Sequence, residues 1–195
     1  MAVELQSLIE QIGACRACAD LFGHTPRPVL MVSRNTRLLI CGQAPGRRVH
    51  ESGRPFTDPS GDRLRDWLGI GPEAFYGDSR IGVAAQAFCY PGTSPSGGDY
   101  PPPKRCAALW RKPLLQSLQQ VELTLLVGSH AQAWALGNRY RGMTETVRSW
   151  QSFLPEILPL PHPSWRNTGW LKRHPWFEAE VLPYLRERVK GILSP

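Results

Sequence analysis

A short apolar run that ends at a glycine-rich turn constrains the fold of this chain more than any other feature. Residues 38–41 are Leu-Leu-Ile-Cys, a run typical of a buried strand, and residues 42–46 are Gly-Gln-Ala-Pro-Gly. Two glycines and a proline force an irregular tight loop there. Apolar residues then recur at helical spacing between Leu64 and Leu68, and Asp58 or Ser60 is the predicted cap of that helix. This order of elements predicts a pocket at the carboxyl edge of a parallel sheet.

Three further apolar runs predict the other strands of this sheet, at residues 81–88, 122–127 and 157–160. Because helical patterns alternate with them, we expect an α/β fold, a three-layer α/β/α sandwich with a central four-stranded parallel sheet. The other predicted helices cover residues 3–12, a stretch from 103 or 104 onward, 128–136, 144–150 and 176–192. In the second of these, the residues predicted to face inward are Leu109, Trp110, Leu114, Leu115 and Leu118.

The chain contains 195 residues, which predicts a single domain over 1–195 with an ample core. Residues 1–36 combine a predicted amphipathic helix, two cysteines and a loop-rich stretch, and we expect them to form an arm that packs on this domain. Residues 91–103 are rich in proline and glycine and are predicted to lack regular structure.

The chain is strongly basic, with a formal net charge of +7 and a pI near 9.5. Such a charge favours an anionic partner, nucleic acid first and an acidic membrane surface second, although an ordinary enzyme surface can also be basic. No apolar run is long enough to span a bilayer, and the N-terminal residues lack the apolar core of a signal peptide. We therefore expect a cytoplasmic, monomeric protein that does not bind membranes.

Four of the five cysteines fall into two groups. Cys15 and Cys18 form a C-x-x-C motif, and Cys89 and Cys106 flank the proline-rich stretch. Cytoplasmic thiols stay reduced, so this set predicts a zinc ion or an iron–sulfur cluster, with buried free thiols as the alternative. The fifth, Cys41, lies on the first predicted strand and is best explained as a small core residue.

Several of these motifs resemble those of the uracil-DNA glycosylase superfamily, and most closely its iron–sulfur branch. They are GQAPG at 42–46, GRPF at 53–56, His-Pro-Ser at 162–164 and the four cysteines. The resemblance implies an enzyme that flips uracil, or another deaminated base, out of DNA and hydrolyses its N-glycosidic bond to initiate base excision repair. It also implies a 4Fe–4S cluster on Cys15, Cys18, Cys89 and Cys106, with zinc as the alternative metal.

The resemblance assigns roles to residues of the predicted pocket. Phe56 is expected to stack on the flipped base, and His162 is expected to donate a hydrogen bond to the base oxygen as negative charge develops there. The non-functional alternatives are that Phe56 is a core residue and that His162 is a structural histidine in a proline-rich turn. Gln43 would orient the attacking water or contact the base, through its amide and its backbone. The remaining residues implied to contact the substrate are Gly42, Ala44, Gln86 and Ser164.

A cluster of basic residues with one tryptophan predicts the DNA interface. Trp165 follows the His-Pro-Ser motif, and the resemblance makes it a wedge that presses into the duplex, although a surface or core tryptophan would have the same sequence context. The arginines expected to contact phosphates are Arg47, Arg48 and Arg54, which lie in a predicted basic loop region, and Arg166.

Two positions depart from the family pattern. The iron–sulfur branch typically has glutamate where this chain has Gln43, and the amide of glutamine is not a general base. Either electrostatics and His162 suffice, or Glu51, Asp58 or Asp62 supplies a carboxylate, or the activity is weak. Asp58 is the preferred acid, although helix capping explains it equally well. Gln86 stands where the family usually has asparagine, and it either reads the base edge or points to the other face of the sheet.

Two other functions remain open from the sequence. The missing carboxylate favours a non-catalytic nucleic-acid-binding protein with a structural metal, whereas the pair of Phe56 and His162 argues against it. A catalytic protein could also act on a different deaminated base, such as hypoxanthine or xanthine.

Overall fold

A computed structural model describes residues 4–95 and 97–194 of the chain. Its centre is a four-stranded parallel sheet in the order β2-β1-β3-β4, which confirms the predicted α/β fold. The strands are β1 (Leu38–Cys41), β2 (Ile81–Val83), β3 (Leu123–Val127) and β4 (Ile157–Leu160).

The pairing of the strands brings all their carboxyl ends to one edge of the sheet. Leu38 of β1 pairs with Ile81 of β2 on one side and with Leu123 of β3 on the other, and Thr124 of β3 pairs with Ile157 of β4. Because all four strands are parallel, the loops that follow them meet at this edge, where α/β folds place their ligands.

Helices cover both faces of the sheet. They are α1 (Leu5–Gly13), α2 (Arg47–Ser52), α3 (Pro59–Leu68), α4 (Pro72–Gly77), α5 (Lys104–Ser117), α6 (Ser129–Leu136), α7 (Met143–Arg148), α8 (Thr168–Arg173) and α9 (Leu182–Leu193). A π-helical turn at Phe177–Val181 leads into α9. Within the described part of the chain, no helix is both long and apolar enough to cross a membrane.

Alternation along β1 explains how the two layers of helices are held. Leu38 and Ile40 pack in one core with Leu64 and Leu68 of α3, whereas Leu39 packs in a second core with α1 and α5. Successive side chains of a strand point to opposite faces, so a strand buried on both sides needs a continuous apolar run. This is why the LLIC run is a central strand.

The predicted strand at 81–88 is too long, because regular pairing ends at Val83. The next residues stay buried and hydrogen-bonded without forming a ladder. The amide of Ala84 donates to the carbonyl of Ile40 (3.0 Å), and that of Gln86 donates to the carbonyl of Gly42 (2.9 Å). Residues 84–87 are buried and mostly small, so their sequence resembles that of a strand. Their backbone instead follows the irregular GQAPG loop, to which it is hydrogen-bonded.

Several helix predictions also need correction. Residues 47–52, predicted as a loop, form α2, and the short helices α4 and α8 were not predicted. The predicted start of the first helix, Val3, lies outside the described residues. On α5, Leu109 and Leu115 were expected to face inward but are 47% and 38% exposed. Only one face of α5 is buried, and some of its leucines lie outside that face.

Candidate active site

The loops at the carboxyl edge of the sheet enclose a cavity of about 140 Å³ that is partly open to solvent. It is lined by Val29, Gly42, Gln43, Ala44, Pro45, Gly46, Val49, Pro55, Phe56, Asp58, Ser60, Val83, Ala85, Asp99 and His162. Residues from the GQAPG, GRPF and His-Pro-Ser motifs thus meet in one place, as the sequence predicted for a pocket at this edge.

The GQAPG loop is fixed by hydrogen bonds to the segments that surround it. The amide of Ala87 donates to the carbonyl of Gln43 (3.1 Å). The side chain of Gln43 is also anchored, because its Nε2 donates to the carbonyl of Tyr100 (3.2 Å). Since the NH₂ end of this amide is engaged, its oxygen is the end left to accept a hydrogen bond from a water molecule or a base.

Phe56 is held in a backbone conformation that ordinary residues rarely adopt, with a φ of 55°. Its carbonyl accepts hydrogen bonds from Arg65 Nη1 (2.9 Å) and from the hydroxyl of Tyr76 (3.0 Å). A Cβ on Gly61 would lie only 1.9 Å from the Phe56 carbonyl oxygen, so the fold requires glycine there. Such over-determined strain is typical of functional sites and fixes Phe56 in the cavity wall.

His162 is a neutral hydrogen-bond donor. Burial lowers the pKa of its imidazole, an effect that the nearby Asp58 carboxylate partly opposes. The backbone N–H of Ser164 donates to Nδ1 (3.2 Å), so Nδ1 is the acceptor and the proton of the neutral ring resides on Nε2. Asn167 Nδ2 donates to the His162 carbonyl (2.7 Å) and fixes the turn.

Of the three acids considered from the sequence, only Asp58 lines the cavity. Its carboxylate caps α3, as predicted, by accepting a hydrogen bond from the backbone of Gly61 (3.1 Å). Asp62 is exposed and pairs with Arg65 (2.6 Å). Glu51 is also exposed and pairs with an arginine one helical turn away.

Asp99 also lines the cavity, and sequence reasoning missed it. It lies in the proline-rich 91–103 stretch and pairs with Thr93 in an isolated antiparallel bridge. The stretch folds back over the GQAPG loop, where Tyr100 accepts the hydrogen bond from Gln43. The only signal in the sequence was an aspartate after two glycines, which is common in turns.

Gln86 does not line this cavity. Its side chain is buried beneath a separate groove between α5 and α6, and its Oε1 has no hydrogen-bond partner among the residues that the structure describes. The position on the other face of the sheet, which the sequence left open, is therefore the observed one.

The outer mouth of the cavity is basic and carries an exposed aromatic ring. Its rim includes Arg47, Arg48, Ser164, Trp165 and Arg166. The side chain of Trp165 is 75% exposed, and the guanidinium of Arg166 lies 5.8 Å from the centre of its ring. Arg54 is not among the residues of the rim, because its guanidinium stacks 3.5 Å from the centre of the Tyr76 ring.

The sequence model of one protein family, the uracil DNA glycosylase superfamily, matches residues 31–186 of this chain. The matched range includes all the residues that line the cavity except Val29. The chain belongs to the uracil DNA glycosylase superfamily. This membership supports a glycosylase that acts on N-glycosidic bonds in DNA, and it does not select a branch of the superfamily.

Two solved structures are similar to this superfamily member. One is the solution NMR structure of a protein from Methanosarcina acetivorans, described as a candidate uracil DNA glycosylase. It is 18% identical, with a TM-score of 0.48, and the match covers 81% of this chain and 94% of that chain. The other is the crystal structure of wild-type Pedobacter heparinus SMUG2, which is 16% identical with a TM-score of 0.40, over 80% of this chain and 74% of that chain.

In this member of the superfamily, the four cysteines of the predicted metal set line a second, small cavity of about 20 Å³. Cys15 and Cys18 come from the N-terminal arm, and Cys89 and Cys106 come from the two ends of the proline-rich stretch. Arg105 of α5 helps to hold the arm there, because it pairs with Asp20 (2.9 Å).

The thiols of this second cavity are spread around an apolar space. No group of three or more His, Cys, Asp or Glu side chains in the described residues is close enough to hold a single metal ion. A tetrahedral zinc with Zn–S bonds of about 2.3 Å would need sulfurs about 3.8 Å apart. Thiolates around a four-iron cluster surround the whole cubane and stand further apart, so the two metals require different spacings of the four sulfurs.

The surroundings of two of these thiols, Cys89 and Cys106, favour their protonated form. Burial, with a contribution from the neighbouring thiols, raises the pKa of Cys89 to about 12 and that of Cys106 to about 11. Two sulfurs already accept N–H hydrogen bonds, Cys15 from Trp110 Nε1 (3.3 Å) and Cys106 from the backbone of Phe88 (3.4 Å). Hydrogen bonds to sulfur are among the features that tune iron–sulfur clusters.

Proposed function

We propose that this protein is a DNA glycosylase that flips uracil out of DNA and hydrolyses its N-glycosidic bond, initiating base excision repair. The observation that carries the proposal is the meeting of Phe56, Gln43 and His162 in one cavity at the carboxyl edge of the sheet. The three residues come from separate segments, and each offers one of the interactions that base excision needs: stacking, water positioning and stabilisation of the leaving base.

Recognition of the flipped base starts at Phe56. Its ring forms part of the cavity wall and is supported edge-on by Phe75, with the ring centres 6.3 Å apart. Because the backbone of Phe56 is fixed by Arg65 and Tyr76, the ring does not need to be ordered when the base arrives. A pre-organised stacking surface reduces the entropic cost of holding the flipped nucleotide.

His162 stabilises the departing base. Its neutral ring donates the Nε2 proton in a hydrogen bond to a base oxygen as the glycosidic electron pair moves onto the base. The low pKa of the imidazole keeps the ring neutral near pH 7, so it acts as a fixed dipole. Removal of one such donor typically costs about 10²–10³-fold in rate.

The basic mouth binds the DNA backbone around the flipped nucleotide. Arg47, Arg48 and Arg166 offer charges for phosphate contacts, and Trp165 protrudes far enough to act as a wedge in the duplex. These groups surround the entrance of the cavity, so DNA held by them would present its extruded base to Phe56.

A 4Fe–4S cluster on Cys15, Cys18, Cys89 and Cys106 is part of the proposal, with zinc as the alternative metal. The cluster would supply cross-linking between the arm, the segment after β2 and the start of α5. Its four ligands lie in a cavity separate from His162 and Phe56, so its proposed role is structural. The cysteines would lose their protons when they ligate, and the bonds to the metal would offset the cost of burying thiolates.

The direct test is a single-turnover assay on end-labelled DNA that contains one uracil, in single- and double-stranded form. We expect alkali-labile abasic product, and we expect His162→Ala to lower the rate by about 10²–10³-fold. The control His174→Ala removes an imidazole outside both cavities and should keep the wild-type rate. DNA binding without any product, at high enzyme concentration and long times, would instead favour a non-catalytic binding protein.

A further inference from the structure

The proposed hydrolysis lacks a base in the GQAPG loop. Gln43 lies two residues after the end of β1, and neither end of a neutral amide removes a proton from water. The neighbouring residue, Ala44, has no polar side chain. A carboxylate that serves this cavity must therefore come from another segment of the chain.

The proline-rich stretch brings Asp99 to the GQAPG loop. A Cβ placed on Gly46 would lie 3.6 Å from Asp99 Oδ2, so this carboxylate is next to the loop backbone. The following residue, Tyr100, accepts the hydrogen bond from Gln43. One short stretch of chain therefore both anchors the water-orienting amide and supplies a carboxylate beside it.

The approach of Asp99 depends on a glycine that precedes it. Gly98 has a φ of 90°, and a Cβ there would lie 2.9 Å from Arg166 Nη1. Because Gly98 has no side chain, the 91–103 stretch can lie against Arg166, which follows the His-Pro-Ser motif. The carboxylate thus reaches the space between the GQAPG loop and the turn that carries His162.

Asp58 is less suited to the same task. Its Oδ1 accepts the capping hydrogen bond of α3, and the helix fixes its position. Among the described residues, the side chain of Asp99 accepts one long hydrogen bond, of 3.4 Å, from Thr93 Oγ1. Asp99 therefore keeps more of its accepting capacity for a water molecule.

We propose that Asp99 is the general base of this glycosylase, a role that rests on the proposed function. The attacking water forms a bond from its oxygen to C1′ of the flipped nucleotide, and its proton passes to the Asp99 carboxylate. The bond between C1′ and the base nitrogen breaks, and its electron pair leaves with the base, which His162 stabilises. The departing base anion then takes up a proton from water, and Asp99 returns its proton to solvent, so the products are the free base and an abasic site.

The electrostatic surroundings of Asp99 make its carboxylate a stronger base than an ordinary aspartate. Although the residue is exposed, partial desolvation raises the pKa of its carboxyl, and the neighbouring Asp58 adds to this increase. The hydrogen bond from Thr93 and the charge of Arg166 oppose it. His162, the other titratable group in the cavity wall, is neutral there.

The sign of the pH dependence follows from this increase. Asp99 accepts a proton only while it is ionised, so the rate falls as the pH drops through the raised pKa of its carboxyl. Bound DNA over the mouth would exclude water from this carboxyl and raise its pKa further. The acidic limb of the pH profile should therefore lie above the range of an ordinary aspartate.

The test compares Asp99→Asn with Asp58→Asn in single-turnover cleavage of uracil-containing DNA from about pH 4 to pH 8. Asp99→Asn should lower the rate by about 10²–10⁴-fold and abolish the acidic limb, with DNA affinity equal to or above that of the wild type. Asp58→Asn should retain the limb. Asp99→Glu, which keeps a carboxylate at a displaced position, should recover part of the rate together with the limb.

The outcomes separate this inference from the proposed function. An active wild type with an Asp99→Asn variant of unchanged rate and unchanged acidic limb would overturn the role of Asp99 and leave the glycosylase intact. A wild type that excises no base would overturn the function itself. If Asp99→Asn unfolds, the pH limb of Asp99→Glu decides: a limb displaced from that of the wild type supports the role, and an identical limb contradicts it.

Discussion

The two cavities of this protein share one stretch of chain but differ in what they depend on. After β2, Ala85 lines the cavity at the sheet edge, and residues 87–89 line the cavity of the cysteines. The first is lined by polar groups with separate chemical roles, and the second by apolar surface and four thiols. Changes in the first should alter the rate more than the stability, and changes in the second should do the reverse.

The largest expected effect on stability comes from the cysteine cavity. Cys106→Ser removes one ligand of the proposed cluster and should cost on the order of 4 kcal/mol of unfolding free energy, since loss of a bound metal is among the most destabilising changes. For a chain of this size the melting temperature should fall by about 8–16 °C. Thermal denaturation and absorbance near about 400 nm measure the two losses together.

The matched control for this variant is Cys41→Ala, which removes a buried thiol outside the set of four. It should keep the absorbance of the cluster and lose about 1 kcal/mol. Equal melting temperatures for Cys106→Ser and the wild type would contradict a structural cluster. Stoichiometric zinc in a colourless wild-type protein would replace the cluster with the alternative metal.

The second effect tests the strained wall of the substrate cavity. Gly61→Ala places a Cβ 1.9 Å from the carbonyl oxygen of Phe56, so the GRPF segment has to move. A displacement of about 1 Å near a reacting group can cost about 10²-fold in rate, and we expect a loss of this size in single-turnover cleavage. The control Gly71→Ala has open space at its Cβ.

Gly61→Ala would sharpen the contrast between the cavities if the rate falls while the absorbance of the cluster stays unchanged. A variant that retains the wild-type rate would show that the position of Phe56 is not critical for excision. Loss of the cluster in this variant would mean that the two cavities are coupled more closely than their separate walls indicate.

The smallest effect concerns the mouth. Trp165 is 75% exposed, so Trp165→Ala should change the unfolding free energy by less than about 0.5 kcal/mol. As a wedge that replaces the stacking of the flipped base, it should matter about 10-fold for double-stranded DNA and much less for single strands, which are already unstacked. The ratio of the two cleavage rates is the measurement.

Trp134→Ala is the control for the wedge, because Trp134 is 38% exposed but lines the groove between α5 and α6. It should leave the ratio of double- to single-strand cleavage unchanged. A Trp165→Ala variant with the wild-type ratio would contradict the role of Trp165 as a wedge, without affecting the chemistry proposed for the cavity.

Local patterns in the sequence were sufficient to predict the elements whose structure depends on residues close together in the chain. β1, β3 and β4 lie within one residue of their predicted bounds, because each is a buried apolar run between turn formers. Phe56, Gln43 and His162 meet as expected, because parallel strands deliver their following loops to one edge.

The misses have a common physical cause, which is that they depend on how distant segments fold against each other. Asp99 reaches the cavity because its stretch folds back onto Gln43, a contact between residues far apart in the chain. Gln86 faces the other side because β2 ends early and the register of a strand no longer applies. Neither outcome leaves a periodic signal in the sequence.

The most direct test of the central claim is to identify the base that is released. Purified protein is incubated with DNA that carries uracil, hypoxanthine or xanthine at one position, and the low-molecular-weight products are analysed by mass spectrometry. The account predicts free uracil in a one-to-one ratio with abasic sites. Uracil that remains in the DNA while the folded protein binds it, or release of another base in its place, would contradict the assignment of this cavity to uracil excision.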